Sequence, residues 1–206
     1  MPTAKALPRL IVFSDTTRAT TSVMLDRFAR LAERATEGTV LFTLRDYLLP
    51  VRERWALGER LAELTARNRQ SFGVAERADL ARAFGCVAFH LPQGGFSAAD
   101  ARSYLGSEVL LSRGCHVPSA EPESELDALL LSPIFGVRKG RPALGVAALQ
   151  VARKAHPRQA WLALGAVEAD NAAACLAAGA AGVAVIGAAL AADPAPLLGA
   201  LGILRR

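Results

Sequence analysis

Three cysteines, two tryptophans, two tyrosines, two methionines and three histidines in 206 residues leave this chain few specialised side chains. Cys86, Cys115 and Cys175 are odd in number and far apart, which argues against a disulfide framework and fits buried thiols in a reducing compartment. Aromatics make up only 6%, and no basic stripe carries them. The arginines behind the net charge of +5 are scattered among acids, as in Arg52-Glu53-Arg54 and Glu59-Arg60, so nucleic acid is not an expected partner. A bulky apolar run of membrane-spanning length is missing too. The longest apolar stretch, 172–192, is interrupted by Gly179, Gly182 and Gly187 and reads as helix, turn and strand, so no membrane partner is expected. The opening residues Met1-Pro2-Thr3-Ala4-Lys5 show no signal core, and a cytoplasmic location is expected.

What remains is 52% apolar, much of it alanine, which favours helix without adding bulk. That composition excludes disorder, and the length fits one domain over 1–206 with a substantial core. Strand-like apolar runs alternate with helical periodicity along the whole chain. Expected strands are 9–15, 39–45, 71–74, 86–91, 108–112, 128–132, 160–165 and 182–187. Expected helices are 22–35, with Met24, Leu25, Phe28, Leu31 and Ala32 on one stripe, then 51–68, 77–84, 97–105 behind an N-cap Ser97, 144–155 and 194–204. Residues 118–125 are proline-rich and acidic and promise little helix. Strands that are apolar throughout argue a parallel sheet covered on both faces, and an eightfold count favours a closed TIM (β/α)8 barrel.

The last two units carry the clearest functional signal. Ala160-Trp161-Leu162-Ala163-Leu164-Gly165 and Gly182-Val183-Ala184-Val185-Ile186-Gly187 each run into a glycine turn and then a helix-forming stretch, the first beginning at Glu168. Glycine lets backbone N–H groups approach an anion, and such barrels commonly hold a phosphate there.

In order and spacing, several segments resemble the thiamine phosphate synthase/TenI family. They are Leu10-Ile11-Val12-Phe13-Ser14-Asp15, Leu44-Arg45-Asp46, Glu76-Arg77-Ala78-Asp79, Phe89-His90-Leu91-Pro92, Ser132-Pro133-Ile134-Phe135, Leu164-Gly165-Ala166-Val167 and Gly182-Val183-Ala184-Val185-Ile186. The resemblance covers almost the whole chain and implies a barrel that binds a thiazole phosphate. Departures matter as well. Thr43 and Tyr47 stand where the synthase pattern has Gln and Lys, Ala75-Glu76 where it has Asn-Asp, and Gly94-Gly95 where a second metal-binding Asp would follow. Glu76 is then the one carboxylate left for magnesium, a weak site for an ion that demands near-octahedral oxygen ligands.

The resemblance therefore implies a TenI-like thiazole tautomerase first, needing no cofactor, with His116 moving the proton during aromatisation. The alternatives are thiamine phosphate synthase, with magnesium as its ion, and a non-catalytic binder of thiazole or thiamine phosphate. Arg45 and Lys139 are the expected cations for the ligand, with Gly165, Ala166 and Gly187 as the phosphate turns. Gly187 takes the place of the family's serine, and Ala166 that of its second glycine. His90 is expected to be held by a neighbour, His156 to lie on the surface, and Cys115 to be a small buried hydrophobe. Association into a homo-oligomer stays open.

Overall fold

The structure, a computed structural model, describes residues 5–91, 94–138 and 140–205. Its strands are β1 (Leu10–Phe13), β2 (Val40–Leu44), β3 (Ser71–Ala75), β4 (Ala88–Leu91), β5 (Leu110–Cys115), β6 (Ala128–Leu131), β7 (Ala160–Leu164) and β8 (Gly182–Val185). Each pairs in parallel with its successor, and β8 pairs with β1, so the sheet closes in chain order. The expected TIM (β/α)8 barrel is the observed fold.

Side chains alternate across the sheet. Those facing outward, such as Leu10, Val12, Val40, Phe42 and Leu131, form the larger core under the helices. Those facing inward form a second cluster built on Ile11, Leu41, Ala88, Leu110, Ala128, Leu130, Leu162 and Ala184. Two residues further along, the interior changes character. Thr43, His90, Ser112 and Ser132 follow Leu41, Ala88, Leu110 and Leu130 on the same face. The barrel thus has an apolar plug below and a polar mouth at the C-terminal ends of its strands, where such barrels place their chemistry.

The helices are α1 (Thr21–Arg34), α2 (Val51–Arg67), α3 (Ala78–Ala83), α4 (Ala98–Leu105), α5 (Ala147–Ala155), α6 (Ala172–Ala177) and α7 (Ala195–Ala200). In α1 the Thr20 hydroxyl accepts from Val23 N, and the buried stripe is the expected one. Ser97 caps α4 as expected, accepting from Asp100 N at 3.0 Å. Trp55 of α2 is partly exposed and stacks on Phe84, ring centroids 4.4 Å apart.

Several boundaries differ from expectation. β5 runs on to Cys115 because Arg113 points outward, where its guanidinium bonds Glu123 and the Phe96 carbonyl. The helix expected from Glu168 starts only at Ala172. Before it the Asn171 side chain accepts from Glu168 N at 2.9 Å and donates to Ala166 O at 3.1 Å, holding a turn. After β8 there is a single 3-10 turn, Ala188–Leu190, and α7 is shorter than 194–204, with Gly202 at φ +69° following it. These clipped connectors let 206 residues close a barrel that usually takes about 250.

His156 is not the surface residue expected. Its side chain is 17% exposed, and its ring lies 6.4 Å from that of buried Trp161. Cys86 and Cys175 are buried as expected, whereas Cys115 is half-buried and its Sγ lies 3.2 Å from Val117 O.

Candidate active site at the barrel mouth

The loop after β1 and the end of β2 are tied together by carboxylates. Asp46, buried, accepts from Thr16 N at 2.6 Å and from the Thr16 hydroxyl at 2.8 Å. Asp15 accepts from Thr17 through one oxygen and from Arg45 Nη2 at 2.6 Å through the other. That second oxygen also lies 3.4 Å from Arg18 Nε. Burial works to raise the Asp15 carboxyl, but the Thr17 hydroxyl and the Arg45 guanidinium outweigh it and hold the group below the usual carboxylate range. Arg45 follows the inward-facing positions Leu41 and Thr43 in alternation, so it aims over the mouth. Its Nε is buried and makes no hydrogen bond. Its partner is Asp15, not its neighbour Asp46.

Between the ends of β6, β7 and β8 lies a cavity of about 260 Å³. Gly165, Ala166, Ile186 and Gly187 line it, together with Arg18, Arg138 and Glu168. The two glycines reach it for different reasons. Gly165 adopts φ +102°, and a Cβ there would fall 2.8 Å from Pro133 Cα. The loop after β6 is pinned against it by Ile134 N to Leu164 O (2.9 Å) and Phe135 N to Gly165 O (3.0 Å). Gly187 has ordinary helical angles, φ −64° and ψ −43°. Arg18 stands beside it, its Nη1 3.4 Å from where a Cβ would lie, an ordinary contact. Ala166, at φ +49°, is one of three non-glycine residues with positive φ among those described, and such strain gathers at ligand sites. Among the described residues, the amides of Ala166, Val167 and Gly187 donate no hydrogen bond within the protein.

His116 stands just past β5, in step with inward-facing Ser112 and Gly114. Its Nδ1 lies 2.6 Å from Ser132 O and 3.3 Å from Ser132 Oγ. A carbonyl only accepts, so Nδ1 is the donor in this contact. His90 projects from β4 into the centre of the mouth. Its Nδ1 is 3.0 Å from Ser112 Oγ, and its ring meets Phe13 edge-on at 5.2 Å. Burial, then the Arg113 and Arg45 charges, push it down to about 4, so it is neutral at pH 7.

Glu76 follows β3 directly at φ +68°, its amide bonded to His90 O at 3.0 Å. Buried Arg54 donates to Ala75 O at 2.7 Å and has Glu76 and Asp46 as electrostatic neighbours. Asp46 already spends one oxygen on Thr16. Among the described residues no three His, Cys, Asp or Glu side chains come together, so the protein side chains alone form no closed metal cage here. Lys139 lies outside the described residues. Arg138 of that loop lines the cavity.

The mouth therefore brings Gly165, Ala166 and Gly187 to one cavity, with Arg45 and His116 elsewhere on the rim. Sequence reasoning passed over Arg18 and gave His90 only a capping role. The signal for Arg18 was present: a charged residue five positions past the C-terminal end of β1 falls on the mouth of such a barrel.

Among the described residues no helix is long and apolar enough to cross a membrane. The sequence profile described as thiamine monophosphate synthase matches residues 16–189. A thiamine-phosphate synthase of Thermobifida fusca is 31% identical over 149 residues, spanning 69% of this chain and 68% of that one. One of Natronomonas pharaonis is 33% identical over 174 residues, spanning 80% and 81%. Thiamine phosphate pyrophosphorylase from Pyrococcus furiosus has the same fold, with a TM-score of 0.78, 22% identity and coverage of 94% and 95%. Of the activities expected from sequence, these relatives carry the name of the alternative, the synthase, and not of the tautomerase placed first. By the extent of these matches, the chain belongs to the thiamine monophosphate synthase family.

Proposed function

We propose that this chain is a thiamine-phosphate synthase that couples a pyrimidine diphosphate to a thiazole phosphate. The thiazole nitrogen bonds to the methylene carbon of the pyrimidine as that carbon's bond to the diphosphate oxygen breaks. Diphosphate leaves with the electron pair. Support for the reaction comes from the names of the relatives, and support for the ligand class from one observation: the cavity beyond β6, β7 and β8, rich in undonated amides and flanked by two arginines. In this reading the amides of Ala166 and Gly187 take the thiazole phosphate, with Gly165 permitting the close turn. Arg45, whose Nε has no partner in the protein, faces the diphosphate end, and Lys139 adds charge from the neighbouring loop. Orienting two bound substrates in this way removes much of the entropic barrier to a bimolecular step.

A TenI-like proton transfer is the second reading. It rests on the His116 ring at the barrel mouth, whose Nδ1 meets Ser132 O at 2.6 Å. Purified protein supplied with pyrimidine diphosphate, thiazole phosphate and magnesium is expected to release diphosphate and form thiamine phosphate. No release, together with aromatisation of a thiazole carboxylate phosphate, transfers the assignment to the tautomerase. Binding of either phosphate ester without turnover makes the chain a silent binder.

A further inference from the structure

Arg18 enters the phosphate cavity from the opposite side of the barrel closure, on the loop after β1, while the amides come from the ends of β7 and β8. Its guanidinium is held at one edge, with Nε 3.4 Å from the Asp15 carboxylate. The other edge, Nη1, faces Gly187 across the space that a Cβ would enter at 3.4 Å. Asp15 cannot turn away, because Thr17 occupies its first oxygen and Arg45 shares its second at 2.6 Å. Gly187 has ordinary helical angles, so its amide and the Arg18 guanidinium flank one space. The charge count points the same way. A monoester dianion beside Glu168 needs cations from the wall, and among the described residues Arg18 and Arg138 line it.

We propose that Arg18 is a side-chain cation that grips the ester phosphate and makes the site select phosphorylated over unphosphorylated thiazole. The inference rests on the phosphate reading of the cavity given above. A planar guanidinium can give a phosphate two parallel N–H bonds, a geometry that lysine lacks.

Calorimetric titration with thiazole phosphate and with the unphosphorylated thiazole alcohol tests it, using wild type, Arg18→Ala and Arg18→Lys. Charged hydrogen bonds of this kind set the expected scale: Arg18→Ala weakens the phosphate ester about 10- to 100-fold and leaves the alcohol within about twofold. Arg18→Lys recovers part of the loss. Thermal melts confirm that each variant is folded. Should wild type bind the ester and Arg18→Ala bind it equally, or lose ester and alcohol alike, the Arg18 assignment is overturned while the cavity keeps its ligand. Should wild type not bind the ester at all, the phosphate reading beneath it falls too.

Discussion

Gly165 and Gly187 look equivalent in sequence, each closing an apolar strand, yet replacing them with alanine should have opposite effects on stability. At Gly165 two costs combine. A side chain at φ +102° sits in a backbone region costing about 1–2 kcal/mol. Its Cβ would also meet Pro133 Cα at 2.8 Å and Pro133 Cβ at 2.9 Å. Pro133 is not free to retreat, because the next two amides are bonded to Leu164 O and Gly165 O. Overpacking of that kind costs a further ~1–3 kcal/mol, so Gly165→Ala should lose about 2–5 kcal/mol. For a chain of this size each kcal/mol moves Tm by about 2–4 °C, giving a drop of about 4–20 °C. Gly187→Ala, in helical angles and ordinary contact, should instead gain about 0.4–1 kcal/mol by restricting the unfolded chain. Scanning calorimetry of both variants beside wild type reads the contrast directly. A Gly165→Ala protein melting within a degree of wild type would refute the close approach of the β6 and β7 loops.

Other expectations concern titration and turnover. Burial tends to raise the Asp127 carboxyl, but Leu111 N at 2.7 Å, Lys5 at 2.9 Å and Arg102 at 2.8 Å outweigh it and hold the group low. Its stabilising effect is complete above the usual Asp value of about 3.9 and disappears as pH falls through the lower folded value. The gap in Tm between wild type and Asp127→Asn should therefore narrow in acid, and a gap independent of pH would contradict the pairing. His90, pushed down to about 4, takes up its proton later than the unfolded chain does. Its contribution is full above the ordinary histidine value of about 6.5 and falls as pH drops from there toward 4. The His90 ring proton in an NMR titration should not shift above pH ~5. His116→Ala separates the two activities: proton transfer through this ring should drop about 10²- to 10⁴-fold, whereas coupling should fall less than tenfold.

The barrel was legible because its strands are covered on both faces. Continuous runs such as Leu10–Phe13 and Ala128–Leu131 need no periodicity to stand out. Where an element ended differently, a side-chain bond had intervened. Arg113 carries β5 beyond its apolar half by finding Glu123 and Phe96 O, partners on a segment that looked structureless. Asn171 delays α6 by closing a turn over Ala166. Neither bond can be read from local propensity, which sees only the cost of a polar residue in a strand or the helical preference of Glu168-Ala169.

The site was half legible, and the division follows sequence distance. Backbone features announce themselves locally, so Gly165, Ala166 and Gly187 could be placed at one cavity from their strands alone. Charges could not, because their meaning depends on partners brought together by barrel closure. Arg45, a plausible free cation in sequence, meets Asp15 across 30 residues, and the same carboxylate steadies Arg18. One acid between two arginines leaves a net positive charge shared by both halves of the mouth. An anion drawing Arg18 into the cavity would loosen its hold on Asp15 and leave that carboxylate more fully to Arg45. Arg18 and Arg45 thus share Asp15, a pairing that lay outside any motif.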